Sequence, residues 1–75
     1  MLAIKIIKNK INASIYCENM PVSIDEIIFL IEERNIQTIY FETHENERML
    51  MSGYLTNMNP RMVRKKLQNA SKAQI

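Results

Sequence analysis

"VSIDEIIFLIEERN", Val22 to Asn35, carries the most specific local signal in the chain. Ser23 stands three residues before Glu26, the spacing of a capping box. In that motif the serine hydroxyl accepts from the Glu26 backbone N–H while the Glu26 carboxylate reaches back to the Ser23 N–H. Val22 and Ile27 occupy the flanking staple positions, and Asp25 with Glu26 complements the positive end of the helix dipole. The spacing predicts a helix from about Ile24 to Arg34, with Asn35 as a left-handed stop. Ile24, Ile27, Ile28 and Ile31 fall on one side with Leu30 at the margin, whereas Phe29 projects among polar residues. A lone exposed apolar side chain is ordinary. The sharper reading makes Phe29 an aromatic anchor for a partner protein, flanked by Asp25 and Glu33.

Strand patterns lie on both sides of this helix. Leu2, Ile4 and Ile6 alternate with Ala3, Lys5 and Ile7, and after Asn9-Lys10 the period of two resumes with Ile11, Ala13, Ile15 and Cys17. This reads as a hairpin, with a slightly longer loop as the alternative because lysine tolerates positive φ poorly. Downstream, Gln37–Glu42 and Met49–Leu55 flank the polar "THENER" and read as a second hairpin. Gly53, the only glycine, marks a bulge or a close backbone approach. Asn59-Pro60 opens a last helix, with asparagine capping and proline in the first turn.

The expected fold is therefore α+β, a two-layer sandwich in ββαββα order, with a four-stranded antiparallel sheet and two helices on one face. Its elements are hairpin 2–18, helix 23–35, hairpin 36–56 and a basic helix 60–73, within a single domain spanning 1–75. A chain of 75 residues has room for one thin core, and self-association is a common source of extra stability at this size. Its 47% hydrophobic and 24% charged composition is that of a folding chain, not a disordered one. One cysteine excludes an internal disulfide, the opening residues lack the order of a secretory signal, and no apolar run approaches a membrane span. A cytoplasmic location with no membrane partner is expected. The richness in Ile, Asn, Lys and Met also fits an AT-rich coding sequence of the kind found in phages and mobile elements, which is an association and not a physical argument.

The net charge is only +2, but it is laid down unevenly. Residues 23–48 hold seven acids against two arginines, whereas 59–75 hold five bases and no acid. Such asymmetry suggests two faces for two partners or self-neutralisation. On a helical wheel the last helix gathers Met62, Val63, Leu67, Ala70 and Ala73 on one side and Arg61, Arg64, Lys65, Gln68 and Lys72 on the other. That basic side is either the wet face of a packing helix or a positive ridge for nucleic acid or an acidic protein surface. Lys66 falls within the apolar arc and must snorkel, pair or meet a partner.

Two helices cover only one face of a four-stranded sheet. With Ile39 and Phe41 inward, Tyr40 points to the other face with Thr38 and Glu42, joined by Tyr16 and, by register, Tyr54. These tyrosines suit a protein partner or a second subunit. Base stacking is the other use of such a face, but the aromatic and glycine consensus of an RNA-recognition strand is absent. His44 with Glu45 and Glu47 is the one cluster resembling a reactive centre, and it reads first as a solvated loop. No phosphate-binding glycine loop, zinc motif or nucleophile set is present, and Cys17 is expected to point inward. No cofactor, metal or enzymatic activity is expected. The expected function is a small intracellular regulator or inhibitor that occludes a larger protein as a homodimer, with nucleic-acid binding through the basic helix as the alternative.

Overall fold

The computed structural model describes residues 1–71, with strands β1 (Leu2–Lys8), β2 (Ala13–Cys17), β3 (Met20–Pro21), β4 (Thr38–Glu45) and β5 (Arg48–Thr56) and helices α1 (Ile24–Glu33) and α2 (Pro60–Ala70). The class is α+β, but the sheet departs from the expected one. It has five strands in the order β3-β2-β1-β4-β5, and it is mixed, because β1 pairs parallel with β4 while the other ladders are antiparallel.

The element missing from ββαββα is β3, and it corrects the topology. Glu18 and Asn19 hold φ of 53° and 66° and fold the chain back so that Met20 pairs with Cys17. Positive φ at both central residues is the mark of a type I′ turn. Three strands before α1 instead of two reverse the direction in which the chain enters the helix. α1 then serves as a crossover that delivers β4 parallel to β1.

Both helices cover one side of the sheet. Along β1 every second residue is buried, and Leu2, Ile4 and Ile6 pack with Cys17, Ile39 and Phe41 under Ile27, Ile28 and Ile31 of α1 and Val63 and Leu67 of α2. Lys8 continues this inward stripe, with its stem buried at the end of the strand. Truncating a fully buried residue such as Ile27 to alanine costs about 2–5 kcal/mol, a large share of what a domain of this size holds.

The local signals behave as read. Ser23 Oγ accepts from Glu26 N and Glu26 Oε1 accepts from Ser23 N, both at 3.1 Å. Asn35 takes φ 50°, and two return bonds close α1: Ile36 N to Ile31 O and Asn35 N to Glu32 O. Asn59 Oδ1 caps α2 by accepting from Met62 N at 2.8 Å. The first hairpin takes the longer loop, 9–12, because Asn9 Oδ1 accepts from the N–H groups of Ile11 and Asn12 and holds the turn from within. Ile11 is left exposed outside β2. Of the basic helix read as 60–73, Lys72 and Ala73 lie outside the described residues.

"THENER" is not a loop. Thr43, His44 and Glu45 belong to β4, and only Asn46 and Glu47, at φ 50° and 65°, form the turn to Arg48. A non-glycine residue in the left-handed region costs about 1 kcal/mol. Replacing Glu47→Gly gives the Asn-Gly pair that type I′ turns favour. It is expected to raise the unfolding free energy by up to about 1 kcal/mol, read from denaturant midpoints; a fall in stability would mean that the Glu47 side chain stabilises the hairpin in some other way.

Candidate functional site on the open sheet face

The period of two that buries Leu2, Ile4 and Ile6 also points Ala3, Lys5 and Ile7 away from the helices. Register then fixes their neighbours. Ala3 stands beside Tyr40 and Tyr40 beside Tyr54; Lys5 stands between Tyr16 and Glu42; Ile7 stands beside His44, which pairs with Met49. Tyr16, Tyr40 and Tyr54 thus share the one face that no described helix covers. The Tyr40 and Tyr54 rings lie 5.1 Å apart at 56°, a tilted pair within the favourable range for aromatic contact.

Glu42 organises the centre of this face. Tyr40 Oη donates to Glu42 Oε1 at 2.8 Å, and His44 Nε2 lies 2.9 Å from Glu42 Oε2. A carboxylate only accepts, so the histidine nitrogen facing it carries the proton. The side chains of His44 and Glu42 are 19% and 23% exposed, in contact with each other and flanked across the strands by Ile7 and Met49 and by Lys5 and Ser52. The hydrogen bond from His44, then that from Tyr40, holds the Glu42 carboxyl below the usual glutamate range, against an opposing push from desolvation. The same bond to Glu42 raises the Tyr40 hydroxyl above its ordinary range. Beside this network a shallow depression of about 250 Å³ opens between Lys5, Tyr16, Glu18, Tyr40 and Glu42.

The other sequence candidates lie elsewhere. Phe29 is 62% exposed on α1, in the helix layer, with Asp25 and Glu33 exposed on the same helix. That layer and the tyrosine face are opposite sides of the molecule, so the two candidate sets do not form one site. Asp25 is engaged within the layer: Arg64 Nη1 donates to its Oδ1 at 2.7 Å and ties α2 to α1. Such an exposed pair contributes at most about 1 kcal/mol, but it takes Arg64 out of a free basic ridge. Arg61, Lys65 and Gln68 remain exposed on α2, and Lys72 lies outside the described residues. Lys66 resolves its position in the apolar arc by placing Nζ 5.6 Å from the centre of the Phe41 ring.

His44 does not gather Glu45 and Glu47. Neighbours along a strand point to opposite faces, so Glu45 turns to the other side and Glu47 sits in the turn, whereas Glu42, two residues back, shares its face. Sequence reading missed this partnership because it ended β4 at Glu42; the alternation Tyr40, Glu42, His44 was the available signal. Cys17 is buried, and burial, with the Glu18 charge, raises its thiol above the ordinary range, so it is a packing residue. Among the described residues no three His, Cys, Asp or Glu side chains converge in a way that could hold a metal ion, and no helix is long and apolar enough to cross a membrane. Comparisons with protein-family models, with curated proteins and with solved structures returned no match.

Because the folded state holds the Glu42 carboxyl low, the unfolded chain binds its proton more readily. The stabilisation is complete above the usual glutamate range and is lost as pH falls through the lower folded value. Glu42→Gln is therefore expected to flatten the loss of stability between neutral pH and roughly pH 3, measured as denaturant midpoints across a pH series. An unchanged acid limb would show that the Tyr40–Glu42–His44 network does not anchor this face.

Proposed function

We propose that the protein is a small binding module, a regulator or inhibitor that acts as a homodimer by occluding a surface of a larger protein, and that the open sheet face is its docking surface. The observation that carries this reading is the placement of Tyr16, Tyr40 and Tyr54 around the hydrogen-bonded Glu42 on a face that no described helix covers. Tyrosine supplies large contact area with a polar tip and little conformational freedom to lose, which is why it is enriched where proteins bind proteins. Exposed Ile7, Met49 and Tyr54 give the face an apolar share, while Lys5 and Glu42 impose a charge pattern on whatever docks. The residues sit on paired strands and not on loops, so the surface is pre-organised. Phe29 with Asp25 and Glu33 forms a second candidate contact on the opposite side, weakened by the engagement of Asp25 with Arg64.

A nucleic-acid reading is favoured by one observation, the exposure of Arg61, Lys65 and Gln68 along α2. Two or three phosphate contacts would lose on the order of ten- to fortyfold in affinity between 50 and 200 mM salt. Retention of DNA or RNA on a filter at low salt, abolished by Lys65→Ala with Arg61→Ala, would establish that reading instead.

The docking reading is tested by affinity capture with wild-type protein, Tyr54→Ala and Phe29→Ala. Partners held by the wild type are expected to be lost with Tyr54→Ala, at a cost of about 2 kcal/mol or thirtyfold for a central anchor, and kept with Phe29→Ala. Full retention by the Tyr54 variant and by a second open-face change, Met49→Lys, would overturn it.

A further inference from the structure

The two edges of the sheet are built differently. β3 has only two residues and ends in Pro21, which has no N–H to offer, so this edge is blunted against further pairing. β5 has nine residues, no proline and a single charge, Arg48, at its start. Met49, Leu50, Met51 and Tyr54 along it are 53%, 50%, 47% and 62% exposed. A long, uncharged, apolar edge is what isolated sheets avoid. β5 carries none of the usual protection except a bulge at its start, where Thr43 pairs with Met51 and His44 with Met49, leaving Leu50 unmatched.

Gly53 lies at the middle of the regular part of this edge. It is not in the positive-φ region, and a Cβ there would meet Phe41 Cζ at 3.5 Å, an ordinary contact. Neither backbone conformation nor packing within the chain asks for glycine, although glycine weakens a strand interior. A side chain here would leave the sheet plane towards Phe41, so the glycine neither demands nor opposes a further strand at the edge.

We infer that the free edge of β5 pairs antiparallel with β5 of a second copy of this chain, about a two-fold axis at Gly53, joining two open faces into one ten-stranded platform. The register follows from face parity. With Gly53 on the axis, Met51 meets Leu55 of the second copy on the helix side, and Ser52 meets Tyr54 of the second copy on the open side. The helix-side pair is apolar, the open-side pair sets a serine hydroxyl beside a tyrosine ring, and the two Arg48 side chains stand at opposite ends, roughly 30 Å apart at 3.3 Å per residue, so no like charges oppose. This self-complementarity points to a second copy over a foreign peptide. It also enlarges the open face: five strands about 4.8 Å apart and about 20 Å long present roughly 500 Å² in projection, and a second copy doubles that. The regular stretch, Met51–Thr56, is short, so the dimer is weak and concentration-dependent.

This inference rests on the docking reading for its purpose but is tested apart from it. Sedimentation of the wild type from roughly 10 μM to 1 mM is expected to show a mass rising from 8.8 kDa towards twice that value. Met51→Lys, and separately Leu50→Lys at the bulge, are expected to weaken the dimer at least about tenfold while keeping the wild-type circular dichroism spectrum. Backbone amides on the outer edge of β5 are expected to gain exchange protection as concentration rises. A wild type that stays monomeric throughout overturns the inference, as does a dimer that ignores both lysines while the β5 edge exchanges freely. A monomer throughout also removes the homodimer from the proposed function but leaves capture by the open face to be decided by Tyr54→Ala; loss of the dimer in Met51→Lys with capture insensitive to Tyr54→Ala would sink the docking reading and leave this one standing.

Discussion

The central position of β1 is the constraint on which the rest of the structure depends. It is hydrogen-bonded on both sides, antiparallel to β2 and parallel to β4, and its alternation assigns Leu2, Ile4 and Ile6 to the core and Ala3, Lys5 and Ile7 to the opposite face. A slip of one residue would exchange the two sets, burying Lys5 and exposing three core side chains. The register of β1 therefore fixes the core and the composition of the open face together. Lys5 stands beside Glu42, and Ile7 beside His44, because Ile4 and Ile6 must be inside.

How much of this was legible in the sequence depends on how local each cause is. Both helix starts and the Asn35 stop were readable, since Ser23, Glu26 and Asn59 act within three residues of themselves. So was the one-sided placement of the helices, which follows from Ile39 and Phe41 alternating with Tyr40. The parallel pairing was not, because it turns on β3 and so on two consecutive left-handed residues, Glu18 and Asn19, without a glycine to announce them. The same disguise at Asn46 and Glu47 hid the last three residues of β4. Polar residues in a strand with one uncovered face are compatible with pairing, and composition alone reads them as a loop.

The candidate site shows the same division. The shared face of Tyr16, Tyr40 and Tyr54 was visible in the alternation, whereas the Glu42–His44 contact required the true end of β4. Charge told least. The acidic first helix and the basic second one looked like surfaces for separate partners, yet Arg64 reaches Asp25 across the helix pair, a contact that no linear pattern specifies. On the open face both Glu42 oxygens are already engaged, so the carboxylate is held as a fixed acceptor between Lys5 and Ser52 of the adjacent strands. A recognition surface benefits from such rigidity, since little remains to be ordered on contact.

The parallel ladder between β1 and β4 also bears on how the chain reaches its native state. Leu2 is matched with Ile39, so these two strands meet only after the intervening hairpin and α1 have been brought round. Pairings so distant in the chain slow the search, and a helical crossover formed early shortens the span that must close. The capped α1 is the natural candidate for that early element. Until it docks, the apolar side of β1 stays bare, and the time spent in that state sets the window in which the nascent chain is open to aggregation.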